Sequence, residues 1–106
     1  MTFRVNITAR ARRDVERVVN AVRTKAPINA ARRHARIRTS FRKLTYLPTR
    51  FGLCDEADDL GLEIREYVFG KRQGAFRVVY IIDGQTVHIL RVVHASHGPL
   101  TLADLS

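Results

Sequence analysis

The stretch FRVVYIIDGQTVHILRVVH, residues 76–94, decides the fold because it holds two apolar segments separated by one turn signal. Both segments are rich in valine and isoleucine, which pack well in β-strands. Between them lies Asp83-Gly84, a pair preferred in two-residue type I′ turns. We therefore predict an antiparallel β-hairpin with strands over residues 76–82 and 86–94.

The predicted turn gives the hairpin two faces of different character. It places Arg77 opposite Leu90 and puts Arg77 on one face with His88 and His94. Such a set suits phosphate binding with proton transfer, and it equally suits an ordinary solvated sheet face. The other face is more apolar and should carry the helices; it consists of Phe76, Val78, Tyr80, Ile82, Val87, Ile89, Arg91 and Val93.

The first half of the chain predicts a strand followed by two helices. Residues 3–7 alternate apolar and polar side chains, as a half-buried strand does. Thr8 is a suitable N-cap for a helix over residues 9–25, and Asn29 for a second helix over residues 30–47. Each helix carries an apolar stripe at helical spacing, so the two should form a hairpin that packs on the sheet.

The remaining segments complete an α+β order. Residues 48–61 are predicted to be a loop whose four acidic residues balance nearby arginines. Residues 62–69 form a strand, 70–74 (GKRQG) a basic turn, and the leucine-containing tail after residue 94 docks back on the body. The order is strand, helix, helix, strand, strand, strand. The prediction is one α+β domain over residues 1–106, a helical hairpin on a small, mainly antiparallel sheet.

The positive charge is concentrated in one half of the chain. Residues 1–50 hold fourteen Lys and Arg against two acids, whereas residues 51–106 hold five against eight. Sixteen of the nineteen basic residues are arginine, which binds phosphate and carboxylate in a bidentate manner. A one-sided field of this kind attracts polyanions, although a purely solubilising surface is an alternative interpretation.

Several classes of protein are disfavoured by the composition. One cysteine, Cys54, rules out an internal disulfide framework, and the four histidines lack the spacing of a zinc finger. No glycine-rich phosphate loop joins a strand to a helix, so we expect no nucleotide cofactor and no bound metal. The chain has no apolar leader and no apolar run long enough to span a membrane, which predicts a cytoplasmic protein.

Four short segments, in this order, carry a family resemblance. They are LEIR at residues 62–65, the basic turn at 70–74, FRVVY at 76–80, and the strand that ends in LRVVH at 90–94. Together they resemble the RelE/ParE superfamily, the toxins of bacterial type II toxin–antitoxin modules. The resemblance extends over nearly the whole chain. It implies a RelE/ParE-like fold and a cytoplasmic toxin that inhibits growth and contributes to plasmid stabilization.

The resemblance also implies a partner. Antitoxins of this superfamily wrap an acidic, partly disordered segment over the toxin, and a basic helical hairpin suits such a segment by charge. The residues predicted to form the binding surface are Arg32, Arg33, Arg36, Arg42 and Arg91.

The superfamily divides by mechanism, and the sequence leaves the choice open. RelE-like members cut mRNA on the ribosome without a metal; here Arg77 would hold the phosphate, with His94, His97 or Arg65 assisting. The basic C-terminal segment ending in tyrosine that RelE carries is absent after His94. ParE-like members act without chemistry of their own by trapping DNA gyrase. A third possibility is a non-toxic basic module that binds nucleic acid or an antitoxin.

Overall fold

The computed structural model describes residues 2–70 and 75–106. The order of its helices and strands confirms the predicted fold class. Residue 1 and residues 71–74, which belong to the predicted basic turn, lie outside the described residues. The strands are β1 (Arg4–Ile7), β2 (Arg65–Phe69), β3 (Phe76–Asp83) and β4 (Thr86–His94). The helices are α1 (Ala9–Arg23), α2 (Pro27–Lys43), α3 (Glu56–Leu60) and α4 (Leu102–Leu105), with a 3-10 turn at Pro48–Arg50.

The four strands form one mixed sheet in the order β1-β4-β3-β2. β1 runs parallel to β4, with Val5 opposite Val87, whereas β2–β3 and β3–β4 are antiparallel. A parallel pair needs a long crossover connection, and the chain between β1 and β4 contains both long helices. The sheet is therefore mainly antiparallel, as predicted.

The hairpin turn lies one residue further along the chain than predicted. Asp83 is paired with Thr86, so the central turn residues are Gly84 and Gln85. Gly84 has φ 60° and Gln85 has no positive φ, which is the pattern of a type II′ turn with glycine at its first central position, a conformation that glycine adopts without steric cost. The prediction that Asp83 and Gly84 are the two central residues of the turn is therefore wrong by one position.

A β-bulge changes the register of the hairpin a second time. Tyr80 lies opposite Ile89, but Val79 lies opposite Arg91, so Leu90 is an extra residue on β4. The predicted pairing of Arg77 with Leu90 is therefore wrong, because Arg77 lies opposite Val93.

α1 begins where Thr8 caps it, as predicted. The Thr8 hydroxyl accepts a hydrogen bond from the Ala11 N–H at 3.2 Å and donates one to the Ile89 carbonyl at 2.8 Å. The cap therefore also attaches the start of the helix to β4. The helix ends at Arg23, two residues before the predicted end.

α2 is displaced toward the N-terminus relative to the prediction of residues 30–47. It starts at Pro27, because proline has a helical φ and lacks only an N–H that the first turn leaves unpaired. It stops at Lys43, and Leu47 has φ 45°, outside the right-handed helical region. A residue before a proline is disfavoured in the α region, and Pro48 follows Leu47.

The helices pack on one face of the sheet, which the apolar pattern of the hairpin predicts. Val78, Tyr80, Val87, Ile89 and Val92 form this core with residues of both long helices, including Ala11, Ile37 and Leu44. The Tyr80 hydroxyl donates to the Pro48 carbonyl at 2.6 Å, and burial raises the pKa of Tyr80 to about 12.

The opposite face of the sheet is covered, not open as predicted. A second core joins Val79 and Val93 of the sheet to Ala57 on α3 and Leu100 in the tail. The prediction of a loop over residues 48–61 is wrong in part because this stretch contains α3, which is capped at its C-terminus by Gly61 with φ 66°. The prediction that the tail docks on the body is confirmed by the burial of Leu100.

Among the described residues, no helix combines the length and the apolar character needed to cross a membrane.

Candidate functional site

Arg77, the predicted phosphate ligand, is held between two carboxylates. Its Nε donates to Glu66 on the neighbouring strand at 2.6 Å, and its two Nη atoms donate to Glu56 on α3 at 3.0 and 2.8 Å. The Arg77 side chain is only 12% exposed. Glu56 also accepts the backbone N–H of Leu100 at 3.0 Å, so the same carboxylate fixes the tail. We call these three side chains, Glu56, Glu66 and Arg77, the carboxylate clasp.

The pKa values of Glu56 and Arg77 in the clasp are both shifted toward the charged form. The hydrogen bonds from Arg77, which outweigh desolvation, lower the pKa of Glu56 from 4.5 to about 2. Burial alone would lower the pKa of Arg77, but the hydrogen bonds to Glu56 and Glu66 raise it above its ordinary value. Glu56 is therefore ionised at physiological pH, and the guanidinium donates to carboxylate oxygens from Nε and both Nη atoms.

The predicted patch of Arg77, His88 and His94 is not assembled. The β-bulge places His94 opposite Phe76, and the two rings meet edge to face at 5.2 Å on the side of the sheet that carries the helices. His94 Nδ1 lies 2.6 Å from the Ser96 hydroxyl. His88 lies opposite Ile81, and its Nδ1 is 3.0 Å from the side-chain amide of Asn6 on β1.

The other two predicted catalytic residues also make local contacts. His97 lies in the exposed turn after β4, where its Nδ1 is 2.8 Å from the Gly98 carbonyl oxygen. Arg65 donates to the Phe51 carbonyl at 2.8 Å and to the Thr49 carbonyl at 3.3 Å. Arg65 therefore holds the segment between α2 and α3 against the start of β2.

Arg91, predicted to belong to the binding surface, is buried. It donates to both carboxylate oxygens of Asp14 on α1, at 2.7 and 3.0 Å, and to the Asp104 carbonyl at 3.0 Å. The hydrogen bonds to Asp14 raise the pKa of Arg91. The prediction of a surface role for Arg91 is corrected by this burial, because the residue joins α1, β4 and α4 inside the protein.

The partner of Arg91 could have been found in the sequence. Asp14 lies between Ala11 and Val18 at helical spacing, so it falls on the apolar stripe of α1. A lone carboxylate in that position must be paired when the stripe is buried. The same side chain accepts the Val92 backbone N–H at 2.9 Å, near the β-bulge.

The arginines of α2 border a groove of about 950 Å³. Arg32, Arg36 and Lys43 line its helix side, and Tyr67, Phe69 and Phe76 line its sheet side. We call this the basic groove. Arg33 also lines it, with its guanidinium 5.4 Å from the centre of the Phe76 ring. Arg42, the remaining predicted residue, is exposed but does not line the groove.

The aromatic floor of the groove was not anticipated from the sequence. Tyr67 and Phe69 stack at 6.4 Å between ring centres, and Phe69 and Phe76 stack at 5.7 Å. These residues share a face of the sheet because Phe69 pairs with Phe76, and because Tyr67 precedes Phe69 by two residues on β2. The alternation of Tyr67 and Phe69 around Val68 was the available signal.

Within residues 2–70 and 75–106, no group of three histidine, cysteine or acidic side chains is arranged to hold a metal ion.

The fold is that of chains found in toxin–antitoxin complexes. A chain from the chromosomal ParDE system of P. aeruginosa superimposes with a TM-score of 0.71 at 16% sequence identity, covering 87% of this chain and 95% of that chain. A chain of the RelBE2 toxin–antitoxin complex from Mycobacterium tuberculosis gives a TM-score of 0.55 at 27% identity, covering 92% and 95% respectively. No curated protein sequence matches this chain.

The family is given by a sequence model. The model of the ParE toxin of the type II toxin–antitoxin system parDE matches residues 5–99. The chain therefore belongs to the ParE toxin family, and the resemblance to the RelE/ParE superfamily is confirmed.

Proposed function

We propose that this toxin arrests growth by binding DNA gyrase and trapping it on cleaved DNA, without chemistry of its own. The observation that carries the proposal is the carboxylate clasp. A phosphate that approached Arg77 would meet the carboxyl oxygens of Glu56 and Glu66, which lie 2.6–3.0 Å from the guanidinium nitrogens. Displacing two carboxylates from a side chain that is 12% exposed would be costly.

The positions of the histidines support the same proposal. General acid–base catalysis needs its groups within hydrogen-bond reach of one reacting centre. His94 contacts Phe76 on the helix side of the sheet, whereas Arg77 contacts Glu56 of α3 on the other side. His97 lies in the exposed turn beyond β4. The family match to ParE toxins agrees with a toxin that acts by binding.

We further propose that a cognate acidic antitoxin neutralises this toxin in the cytoplasm. Similar chains occur in the ParDE and RelBE2 toxin–antitoxin systems, which supports an antitoxin partner. The charge of this chain also supports it, because a net charge of +9 favours an acidic partner.

Ribosome-dependent RNA cleavage is the second candidate. It is favoured by the 27% identity to a chain of the RelBE2 complex over 92% of this chain. In that case Arg77 would have to leave the clasp and act with His94, His97 or Arg65.

One culture can separate the two mechanisms. The toxin is induced in bacteria that lack any antitoxin, and mRNA 5′ ends and gyrase-linked DNA breaks are mapped in parallel. We expect DNA breaks with intact mRNA, and the same breaks with the double variant His94→Ala/His97→Ala, because neither histidine belongs to the buried core. Codon-phased mRNA ends that vanish in the double variant would establish RNA cleavage instead. Harmless expression of the folded wild-type chain would support the non-toxic module.

A further inference from the structure

The turn after α2 exposes two neighbouring apolar side chains. Tyr46 is 55% exposed and Leu47 is 51% exposed, although the nearby Leu44 and Pro48 are fully buried. Among the described residues, Leu47 is also the one non-glycine residue with a positive φ, at φ 45° and ψ 58°. Leucine rarely adopts this left-handed conformation, because it brings Cβ too close to the following carbonyl oxygen. We call Tyr46 and Leu47 the apolar turn.

Backbone hydrogen bonds on both sides hold the apolar turn in its strained conformation. On the N-terminal side, the Phe3 N–H donates to the Thr45 carbonyl at 2.7 Å. On the C-terminal side, the Pro48 carbonyl accepts the buried Tyr80 hydroxyl at 2.6 Å. A strained residue persists where the surrounding structure fixes it, and such residues cluster at functional sites. Because Leu47 is half exposed, core packing alone does not explain why a leucine occupies this position.

The charge around the apolar turn is positive. Arg42, Lys43 and Arg50 flank it in the sequence and are exposed, and no acidic residue occurs between Glu16 and Asp55. Within the part of the chain that the structure describes, none of the three flanking cations makes an ion pair with an acidic side chain. Apolar anchors flanked by cations fit an apolar pocket that has carboxylates at its rim.

Other partners fit this surface less well. In a symmetric dimer a second copy of this chain would bring the same cations together, which is unfavourable. A nucleic acid binds through phosphates and through stacking on aromatic rings, so it gains nothing from Leu47. An extended peptide places its own side chains in pockets of a folded domain and has no pocket to receive a protruding one. The surface therefore fits a folded protein with a concave, acidic site.

The apolar turn lies apart from the basic groove. Tyr46 forms an antiparallel bridge with Thr2, which precedes β1 at one edge of the sheet. The sheet side of the groove includes Tyr67 and Phe69 of β2, which is at the other edge. The described residues that line the groove include neither Tyr46 nor Leu47. A partner can therefore contact the apolar turn without entering the groove.

We propose that the apolar turn is the anchor by which this toxin binds its target protein, with Tyr46 and Leu47 inserted into an apolar pocket bordered by carboxylates. The inference rests on the proposed function in taking that target to be DNA gyrase. A turn that is fixed before binding loses little conformational entropy on association, so its strain is offset by tighter binding.

Asparagine at position 47 separates the apolar anchor from the backbone conformation. Asparagine adopts the left-handed conformation more readily than leucine, so Leu47→Asn relieves strain while it removes the apolar side chain. Tyr46→Ser removes the other anchor. Ile28→Asn is the matched control, because Ile28 is 69% exposed and lies near the start of α2, at the end remote from the turn. Thermal unfolding followed by circular dichroism should give Leu47→Asn a melting temperature no lower than that of wild type.

Two measurements compare the variants. One is growth arrest in bacteria that lack an antitoxin, and the other is isothermal titration calorimetry of the unlabelled toxin with purified bacterial DNA gyrase. We expect Leu47→Asn and Tyr46→Ser each to bind gyrase at least about tenfold more weakly than wild type and to arrest growth less. Ile28→Asn should change the affinity by less than about twofold. A turn with a purely structural role would not combine unchanged stability with weaker binding.

The outcomes distinguish this inference from the proposed function. If Leu47→Asn binds gyrase and arrests growth as wild type does, the apolar turn is not the anchor and the proposed function stands. If wild type arrests growth without binding gyrase, the proposed function fails, and loss of arrest in Leu47→Asn but not in Ile28→Asn still supports the anchor. Retained arrest in Leu47→Asn would then overturn both, as would a wild type that neither arrests growth nor binds gyrase.

Sedimentation velocity tests the second copy as the partner. We expect wild type and Leu47→Asn to sediment alike as monomers. A wild-type dimer that Leu47→Asn converts to a monomer would show that the apolar turn is a contact between copies of this chain, and the proposal would fail.

Discussion

Substitution of Glu56 by glutamine tests whether the carboxylate clasp stabilises this fold. The pKa of Glu56 falls from 4.5 to about 2 on folding, mainly through its hydrogen bonds from Arg77. One pKa unit corresponds to about 1.4 kcal/mol, so the ionised form contributes roughly 3 kcal/mol to the free energy of unfolding. Because Glu56 is 8% exposed, solvent screening of this contribution is small.

The sign of the pH dependence follows from the lowered pKa. A carboxyl group with a depressed folded-state pKa stabilises the protein above its unfolded value and loses that contribution as pH falls. The contribution of Glu56 is therefore complete at pH 7 and declines between about pH 5 and pH 2. Glu56→Gln should cost roughly 3 kcal/mol at pH 7 but only about 1 kcal/mol at pH 3.

Urea unfolding followed by far-ultraviolet circular dichroism at pH 7 and pH 3 measures this difference. Glu63→Gln is the matched control, since Glu63 is exposed and within the described residues makes no ion pair. It should change the free energy of unfolding by less than about 0.5 kcal/mol at both pH values. A cost for Glu56→Gln below about 1 kcal/mol at pH 7, or one that is equal at the two pH values, would refute the reasoning.

Three further predictions concern other supports of the fold, each measured by urea unfolding at pH 7. Asp14→Ala should lower stability by about 3–5 kcal/mol because it leaves the Arg91 guanidinium buried without its carboxylate. The double variant Asp14→Leu/Arg91→Met should lose less stability, and an equal or larger loss would contradict this reasoning. Gly84→Ala should cost about 1–2 kcal/mol at φ 60°, whereas Gly98→Ala, which has open space and no positive φ, should be neutral; equal effects would contradict the turn assignment. Thr8→Ala should cost about 1 kcal/mol through loss of the N-cap, and an unchanged stability would show that the cap is replaced by water.

The sequence predicted the elements of the sheet well because their signals are local. The alternation in β1 and the β-branched residues of β3 and β4 depend only on neighbours in the chain, and β4 has the predicted limits. The turn was misplaced by one residue because Asp83-Gly84 and Gly84-Gln85 both bring a glycine to the turn. Only the cross-strand pairs show which position Gly84 takes.

The candidate site could not be predicted in the same way, because a single β-bulge changes which side chains of β4 lie on which face of the sheet. One extra residue, Leu90, moves each later side chain of β4 to the opposite face of the sheet, and His94 is thereby separated from Arg77. The sequence of β4 carries no glycine or proline to mark that bulge. The contacts at the bulge are tertiary, since Asp14 on α1 binds both the Arg91 side chain and the Val92 N–H at this position.

Long-range ion pairs explain the rest of the difference. Glu56 meets Arg77 across 21 residues, and Asp14 meets Arg91 across 77. The expectation that the acidic residues of 48–61 balance arginines is confirmed for Glu56, but no spacing rule identifies which arginine it binds.

These pairings separate the arginines of the chain into two kinds with different functions. In the second half, Arg77 and Arg91 each donate to carboxylate groups of the same protein, and they hold α3 and the tail in place. On α2, Arg32 and Arg36 are exposed and line the basic groove. An internally neutralised arginine adds little to the external field, so the surface presented to a partner is dominated by the excess charge of the first fifty residues. Partner recognition should therefore depend on the helices, and the sheet arginines should affect it mainly through stability.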